Sequence, residues 1–177
     1  MPRLIRWRDG AAAWAEDPFT TVDDDQSVPR GDVIVSLSRF QREGRDLLVQ
    51  GRSLGVRLES EEEPEALVLD LPRLSVVALT FPKYRDGRAY SAARVLRERL
   101  GYVGELRAVG DVLLEMGHLL VRCGFDAFQP ADDTTPEQWT RVAHRFRHVY
   151  QRAPDGRTPA FVERAFVERA LVDRAGS

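Results

Sequence analysis

Leu74-Ser75-Val76-Val77-Ala78-Leu79-Thr80-Phe81 is the stretch that decides the fold. It is a continuous apolar run of strand length, stopped by Pro82, and it lacks the polar alternation of a half-solvated strand. Such a run suits a strand covered on both faces, as in a parallel sheet. Upstream, Asp32 to Leu37 is β-rich after the turn signal Pro29-Arg30-Gly31, and Gly55 to Leu58 is a weaker second strand. Downstream, Leu106 to Val109 and Phe125 to Phe128 are short strand candidates. Helical patterns lie between them: Arg39 to Gln50, interrupted at Gly44; an acidic start at Glu61-Glu62-Glu63-Pro64; and Ala89 to Leu100. Parallel neighbours need crossovers, so this rhythm predicts a single α/β domain with a mostly parallel sheet of about four to five strands flanked by helices. The alternative is a partial β/α barrel.

Composition bounds the rest. The 177 residues are 43% hydrophobic, enough for one core, and the predicted domain is residues 1–177. Residues 1–31 read as an irregular lead-in, with an edge hairpin as the alternative for 10–31, and about 135–177 as a helical extension. A net charge of −2 argues against bulk binding to nucleic acid or to an anionic membrane. Apolar runs are too short to span a bilayer, and no secretory leader is visible, so a soluble cytoplasmic protein is expected. One cysteine rules out an internal disulfide framework.

Helical periodicity tests the tempting residues. From Asp111 to Cys123, an α-helix would place Val112, Leu113, Met116, Leu119, Leu120 and Cys123 on one buried stripe, making Cys123 a packing residue. Asp111 would cap that helix. His144 and His148 stand four residues apart, as zinc ligands can, but among Arg141 and Arg145. Trp139, Val142, Ala143, Phe146, Val149 and Tyr150 would form the apolar face, leaving both histidines on a solvated basic one. Thr135-Pro136-Glu137-Gln138 is a helix start with a capping box. The pentapeptide repeat from Phe161 to Ala175 steps about 140° per repeat, which spirals apolar residues around a helix. It reads as a frayed tail or a docking helix. No metal site is expected, since the neighbouring arginines oppose zinc at the histidine pair, and no cofactor, since nothing has the spacing to hold haem, flavin or an iron–sulfur cluster.

One block resists the structural explanation. After Phe81 the chain must turn at Pro82 and Asp86-Gly87 and then enter a helix. Between residues 83 and 99, six cations (Lys83, Arg85, Arg88, Arg94, Arg97, Arg99) face two acids, Asp86 and Glu98. Lys83 is the sole lysine. Cations at a strand end and a helix N-terminus can hold an anion or an acidic partner. The candidate binding set is Lys83, Arg85, Asp86, Gly87, Arg88, Tyr90, Ser91, Arg94, Arg97 and Arg107. Tyr90, Arg94, Arg97 and Glu98 should point away from the sheet, and Arg107 should reach the loop or pair with Glu105. A structural turn with a solvated helix face is the competing reading. No Ser-His-Asp or paired-carboxylate constellation is present, so catalytic residues stay unassigned.

Phe81-Pro82, Asp86-Gly87-Arg88, Tyr90-Ser91, then Leu96 to Leu113, then Arg122-Cys123-Gly124-Phe125-Asp126-Ala127-Phe128 resemble the bacterial family catalogued as domain of unknown function 934. The resemblance spans about residues 31 to 130 and departs at Glu115-Met116-Gly117-His118. It implies an association with assimilatory sulfate reduction, because genes of this family commonly lie beside those for sulfite reductase. The expected function is an accessory protein that docks on sulfite reductase or its electron donor through the basic block. The alternative is a small α/β enzyme or binding protein for a sulfate- or phosphate-bearing molecule held by Lys83, Arg85, Arg88 and Arg107. A homo-oligomeric scaffold using the C-terminal helix is a third.

Overall fold

The computed structural model describes residues 3–165. Its sheet is mixed and eight-stranded. In chain order the strands are β1 (Leu4–Arg8), β2 (Ala11–Ala15), β3 (Phe19–Thr21), β4 (Asp32–Ser36), β5 (Leu54–Leu58), β6 (Val76–Phe81), β7 (Glu105–Gly110) and β8 (Ala127–Phe128). The spatial order is β2-β1-β8-β7-β6-β5-β4-β3. β3 to β8 are parallel neighbours in sequence order, while β1 pairs antiparallel with both β8 and β2. Sequential parallel strands joined by crossovers of one hand carry their helices on one face, and the sheet curls into a half-barrel. The expected four to five strands are therefore too few, and the partial barrel is the nearer description.

The missing strands lie in the lead-in. β1 and β2 form a hairpin whose two-residue turn is Asp9 (φ 52°) and Gly10 (φ 81°). Positive φ at both positions gives a turn whose twist matches the strands, and Asp-Gly is a favoured pair for it. The Ala12 N–H on the outer side of β2 donates to Thr140 Oγ1 (2.9 Å), which covers part of that edge.

Helix α1 (Leu37–Val49) runs unbroken through Gly44, its Arg39 N–H held by the Ser36 hydroxyl at 3.0 Å. Between β5 and β6 the acidic segment makes two short 3-10 turns, Pro64–Leu67 and Leu71–Arg73, not a full helix. Helix α2 (Arg88–Arg94) changes to a π turn over Val95–Arg99, marked by the Leu100 N–H to Val95 carbonyl bond of 3.0 Å. Asp111 to Cys123 is not one helix: a 3-10 turn, Leu114–Met116, leads into α3 (Gly117–Arg122). The late start breaks the expected stripe, so Leu119 is 52% exposed while Leu120 is fully buried. Helix α4 (Pro136–Ala143) begins as its capping box dictates, with Gln138 Oε1 accepting the Thr135 N–H at 2.7 Å. It ends before Phe146 and Tyr150, which are exposed instead of packed. Residues 160–165 begin another helix. The rest of the pentapeptide repeat lies outside the described residues.

Two hydrophobic layers follow from strand alternation. Val77, Leu79, Phe81, Leu106 and Ala108 pack under Ala89, Ala93, Leu96, Leu120 and Phe125 on the helical face. Tyr90 joins that layer, its ring edge-on to Phe81 at 5.1 Å, which corrects its expected outward direction. On the concave face, Ile34, Val76 and Ala78 are buried beneath Phe19 and Val109. Trp139 stacks on Phe128 at 4.8 Å and donates its indole N–H to Thr134 Oγ1.

Candidate functional site

The loops that leave β6 and β7 set the geometry of the basic block. Asp86 and Gly87 turn the chain, with the Asp86 N–H bonded to the Lys83 carbonyl at 2.8 Å. The loop tip, Lys83-Tyr84-Arg85, is exposed. Arg85 lies over the Tyr84 ring (5.2 Å) and donates Nε to its hydroxyl at 2.6 Å. Among the described residues neither Lys83 nor Arg85 has an acidic partner within salt-bridge distance. Asp111 does not cap the following helix. Its carboxylate crosses to the tip and accepts the Tyr84 N–H at 2.8 Å. The next residue back, Gly110 (φ 93°), makes this approach possible, because a Cβ there would stand 2.4 Å from the Phe81 carbonyl oxygen.

Nearby cations are already engaged. Arg88 pairs with Asp86 (2.5 Å) and Glu61 (3.2 Å), and Asp86 also accepts the Arg88 N–H at the start of α2. The Arg88 side-chain bond drives the Asp86 carboxyl far below the usual carboxylate range, and the same bond raises Arg88. The chain's own carboxylate thus occupies the anion seat expected at this helix start. Arg94 pairs with Glu98 one turn along, and Ser91 is exposed on α2.

Arg97 and Arg107 leave the block altogether. The π turn adds a residue to one turn of helix and rotates Arg97 inward. Its guanidinium meets the carbonyls of Gly124 (2.9 Å), Tyr102 (2.6 Å) and Gly104 (2.9 Å), and the Asp126 carboxylate. Arg107, 0% exposed, projects from the concave face of β7. It takes both oxygens of Asp17 (2.7 and 3.0 Å) and Glu105 Oε1 (2.8 Å), with its guanidinium over Phe19. Arg6 of β1 completes the set by donating Nη2 to Glu105 Oε2 at 2.8 Å. Asp17 stands two residues before β3, which is four strands away from β7 in the sheet order, so this pair closes the curl across the bore. Of the ten candidates, the fold brings Lys83, Arg85, Asp86, Gly87 and Arg88 together around the exposed tip. Arg97 and Arg107 are placed elsewhere.

A second feature has no counterpart in the sequence reading. An open cavity of about 780 Å³ lies at the amino ends of β7 and β8, against the end of β1 and the segment after α4. Arg6, Trp7, Arg97, Glu105, Asp126 and His144 are among its walls. Burial pushes the Asp126 carboxyl above its ordinary value, although the Leu106 N–H and Arg97 pull the other way. His144 and His148 do not converge: His144 Nε2 meets the Gly10 carbonyl (2.7 Å), and His148 Nδ1 meets Glu163 (2.9 Å). Cys123 is half-buried beside the core, and burial raises its thiol, which opposes nucleophilic use. No helix among the described residues is long and apolar enough to cross a membrane.

Fold and loops define an α/β half-barrel whose helices cover one face and whose carboxyl edge carries an exposed cationic tip. The chain belongs to the bacterial proteins of unknown function grouped as DUF934, whose family model matches residues 55–161. The matched span starts later than the motifs alone suggest and runs on through α4. It contains the tip and one wall of the cavity, but not Arg6, Trp7 or Asp17. Neither a curated protein nor a solved structure matches the chain.

Proposed function

We propose that this protein is an accessory of assimilatory sulfite reduction that docks on sulfite reductase or its electron donor through the Lys83-Tyr84-Arg85 tip. One observation carries the docking surface: two cations with no acidic partner among the described residues flank an exposed tyrosine, and Asp111 holds the backbone between them. Tyrosine and arginine on a rigid loop are efficient interface anchors, because little freedom is lost on binding. Unpaired cations also favour an acidic partner and speed its approach at low salt. The link to sulfite reduction comes from the family resemblance. The competing small-anion reading needs Lys83, Arg85, Arg88 and Arg107 at one point, but Arg107 is held by Asp17 and Glu105 on the concave face, and Arg88 by two carboxylates.

Affinity purification of the tagged protein from its native host at low salt tests the reading. Sulfite reductase or its electron donor should co-purify, and a Lys83→Glu/Arg85→Glu variant should lose it. Recovery of neither, or equal recovery by that variant, removes the proposal.

A further inference from the structure

The segment that follows α4 carries charge of one sign. From Gln138 to Pro154 the chain holds four arginines (Arg141, Arg145, Arg147, Arg152) and no acid, a local surplus that the net charge of −2 averages away. All four are exposed. Among the described residues none of them forms an ion pair. The carboxylates near them in sequence are taken, Asp155 by Arg122 through both oxygens at 2.9 Å and Glu163 by His148 at 2.9 Å. The aromatic residues between these cations also face solvent, with Phe146 52% and Tyr150 75% exposed.

The backbone beneath them is held at several points. Arg157 Nη2 donates to the carbonyls of Phe146 (2.6 Å) and Arg147 (2.7 Å), and Arg122 Nη2 to that of Gln151 (2.6 Å). The Ala160 N–H donates to the Val149 carbonyl at 2.7 Å, and Val149 itself is buried between exposed neighbours. The His118 ring meets Phe146 edge-on at 4.9 Å, and the Arg145 guanidinium lies 5.7 Å from the same ring. Free side chains on a fixed backbone lose little order when a ligand arrives. Phe146 and Tyr150 are four residues apart, so their Cα atoms are separated by at most about 14 Å.

Whatever covers this surface must offer flat apolar faces and negative charge at a short repeat. Each ring has an unpaired arginine within two residues in sequence. A purely apolar partner would strand those arginines without counter-charge. An anionic bilayer separates its charge from its apolar interior by depth. A single-stranded polynucleotide supplies one phosphate and one base at every step, and every base has a face that stacks on an aromatic ring.

We infer that this segment binds single-stranded nucleic acid, with bases on Phe146 and Tyr150 and phosphates at Arg141, Arg145, Arg147 and Arg152. The site is separate from the Lys83-Tyr84-Arg85 tip and does not depend on docking there. Binding is tolerant of base sequence, because stacking and phosphate contacts read none, and it weakens as salt rises.

The test is fluorescence anisotropy of labelled oligouridylate and oligothymidylate, each of about 12 nucleotides, titrated with the full chain at about 50 and 200 mM salt. Inorganic polyphosphate and poly-L-glutamate compete as probes with charge and no bases. At least one oligonucleotide should bind at the lower salt, and the tighter of the two identifies the preferred sugar. The base-free competitors should displace it only at much higher charge concentration. Phe146→Ala/Tyr150→Ala should weaken binding about tenfold or more without changing the salt dependence. Arg145→Ala/Arg147→Ala should flatten the salt dependence by about one to two phosphate contacts. Lys83→Glu/Arg85→Glu should keep the loss caused by the aromatic variant, separating this site from the tip. No binding at the lower salt, or full affinity in Phe146→Ala/Tyr150→Ala, overturns the assignment. Equal competition by poly-L-glutamate also overturns it and makes the surface one for an acidic protein.

Discussion

At the carboxyl ends of the central strands the cations of the loop tip face water, whereas at the amino ends Arg6, Arg97 and Arg107 face carboxylates. Lys83 and Arg85 protrude from the loop after β6 with no acidic partner among the described residues. Arg6, Arg97 and Arg107 at the other end each end on a carboxylate, with further ties to carbonyls for Arg97. In β/α architectures the carboxyl-end loops carry function, and the opposite end carries stability. The contrast here has the same sense, with one qualification: the amino end also holds an open cavity of about 780 Å³. Charge density in the sequence is therefore a poor guide to where charge is free. What matters is whether a carboxylate from a distant segment reaches the cation first.

The strongest way to break the comparison is Arg107→Ala. Removing one partner of a buried pair leaves Asp17 and Glu105 uncompensated, a loss of about 3–5 kcal/mol. The midpoint of urea unfolding should fall accordingly, and adding Asp17→Ala should recover part of it. If Arg107→Ala unfolds like the parent, the amino-end network is not what closes the half-barrel. Next is Gly110→Ala. The positive φ and the nearby Phe81 carbonyl predict a cost of about 1–3 kcal/mol. Because Asp111 follows directly, the Tyr84 amide should also lose protection from hydrogen exchange. Unchanged protection would mean that the tip is not held from β7.

Legibility followed the same division. The apolar runs of β4 to β7 reported themselves, because burial on both faces is written locally in residue type. The Asp9-Gly10 turn was also legible, and weighing it between Trp7-Arg8 and the Ala11 run would have revealed the β1–β2 hairpin. The burial of Arg97 was not. A wheel assumes uniform α geometry, and the π turn shifts its phase by one residue, turning a solvent position into an interior one. Nor could Asp17 be matched to Arg107, 90 positions apart, since nothing local marks the end of an edge strand as the partner of a central one. In the sequence the tip is one part of a basic block. That it holds two free cations, while its neighbours are neutralised, depended on Glu61 and Asp86 arriving from two loops.

A smaller effect sharpens the contrast from the buried side. Burial lifts the Tyr90 phenol from 10.0 to about 12, and burial lifts Tyr102 as well. Below the ordinary value both states keep the proton. Above it the unfolded chain ionises first, so this contribution to stability is lost as pH rises from about 10 through about 12. Phenolate absorbance should show Tyr90 and Tyr102 titrating above the ordinary phenol value, together with loss of structure. Titration of Tyr90 and Tyr102 at the ordinary phenol value, with the fold intact, would contradict the packing of Tyr90 on Phe81 and of Tyr102 against the β6–β7 layer.

The smallest effect on the fold belongs to Lys83→Glu/Arg85→Glu, and its size is what makes it informative. Exposed side chains without acidic partners contribute little to stability, so unfolding should shift by no more than about 0.5 kcal/mol. The same change reverses the sign of the tip, and capture of an acidic partner should fail with it. Arg107→Ala is the opposite case, a large stability loss from a residue that reaches no surface. If the double variant destabilised the protein as strongly as a buried change, the tip would be part of the scaffold. The carboxyl and amino ends would then differ only in exposure, and the basis for a docking role would go with that result.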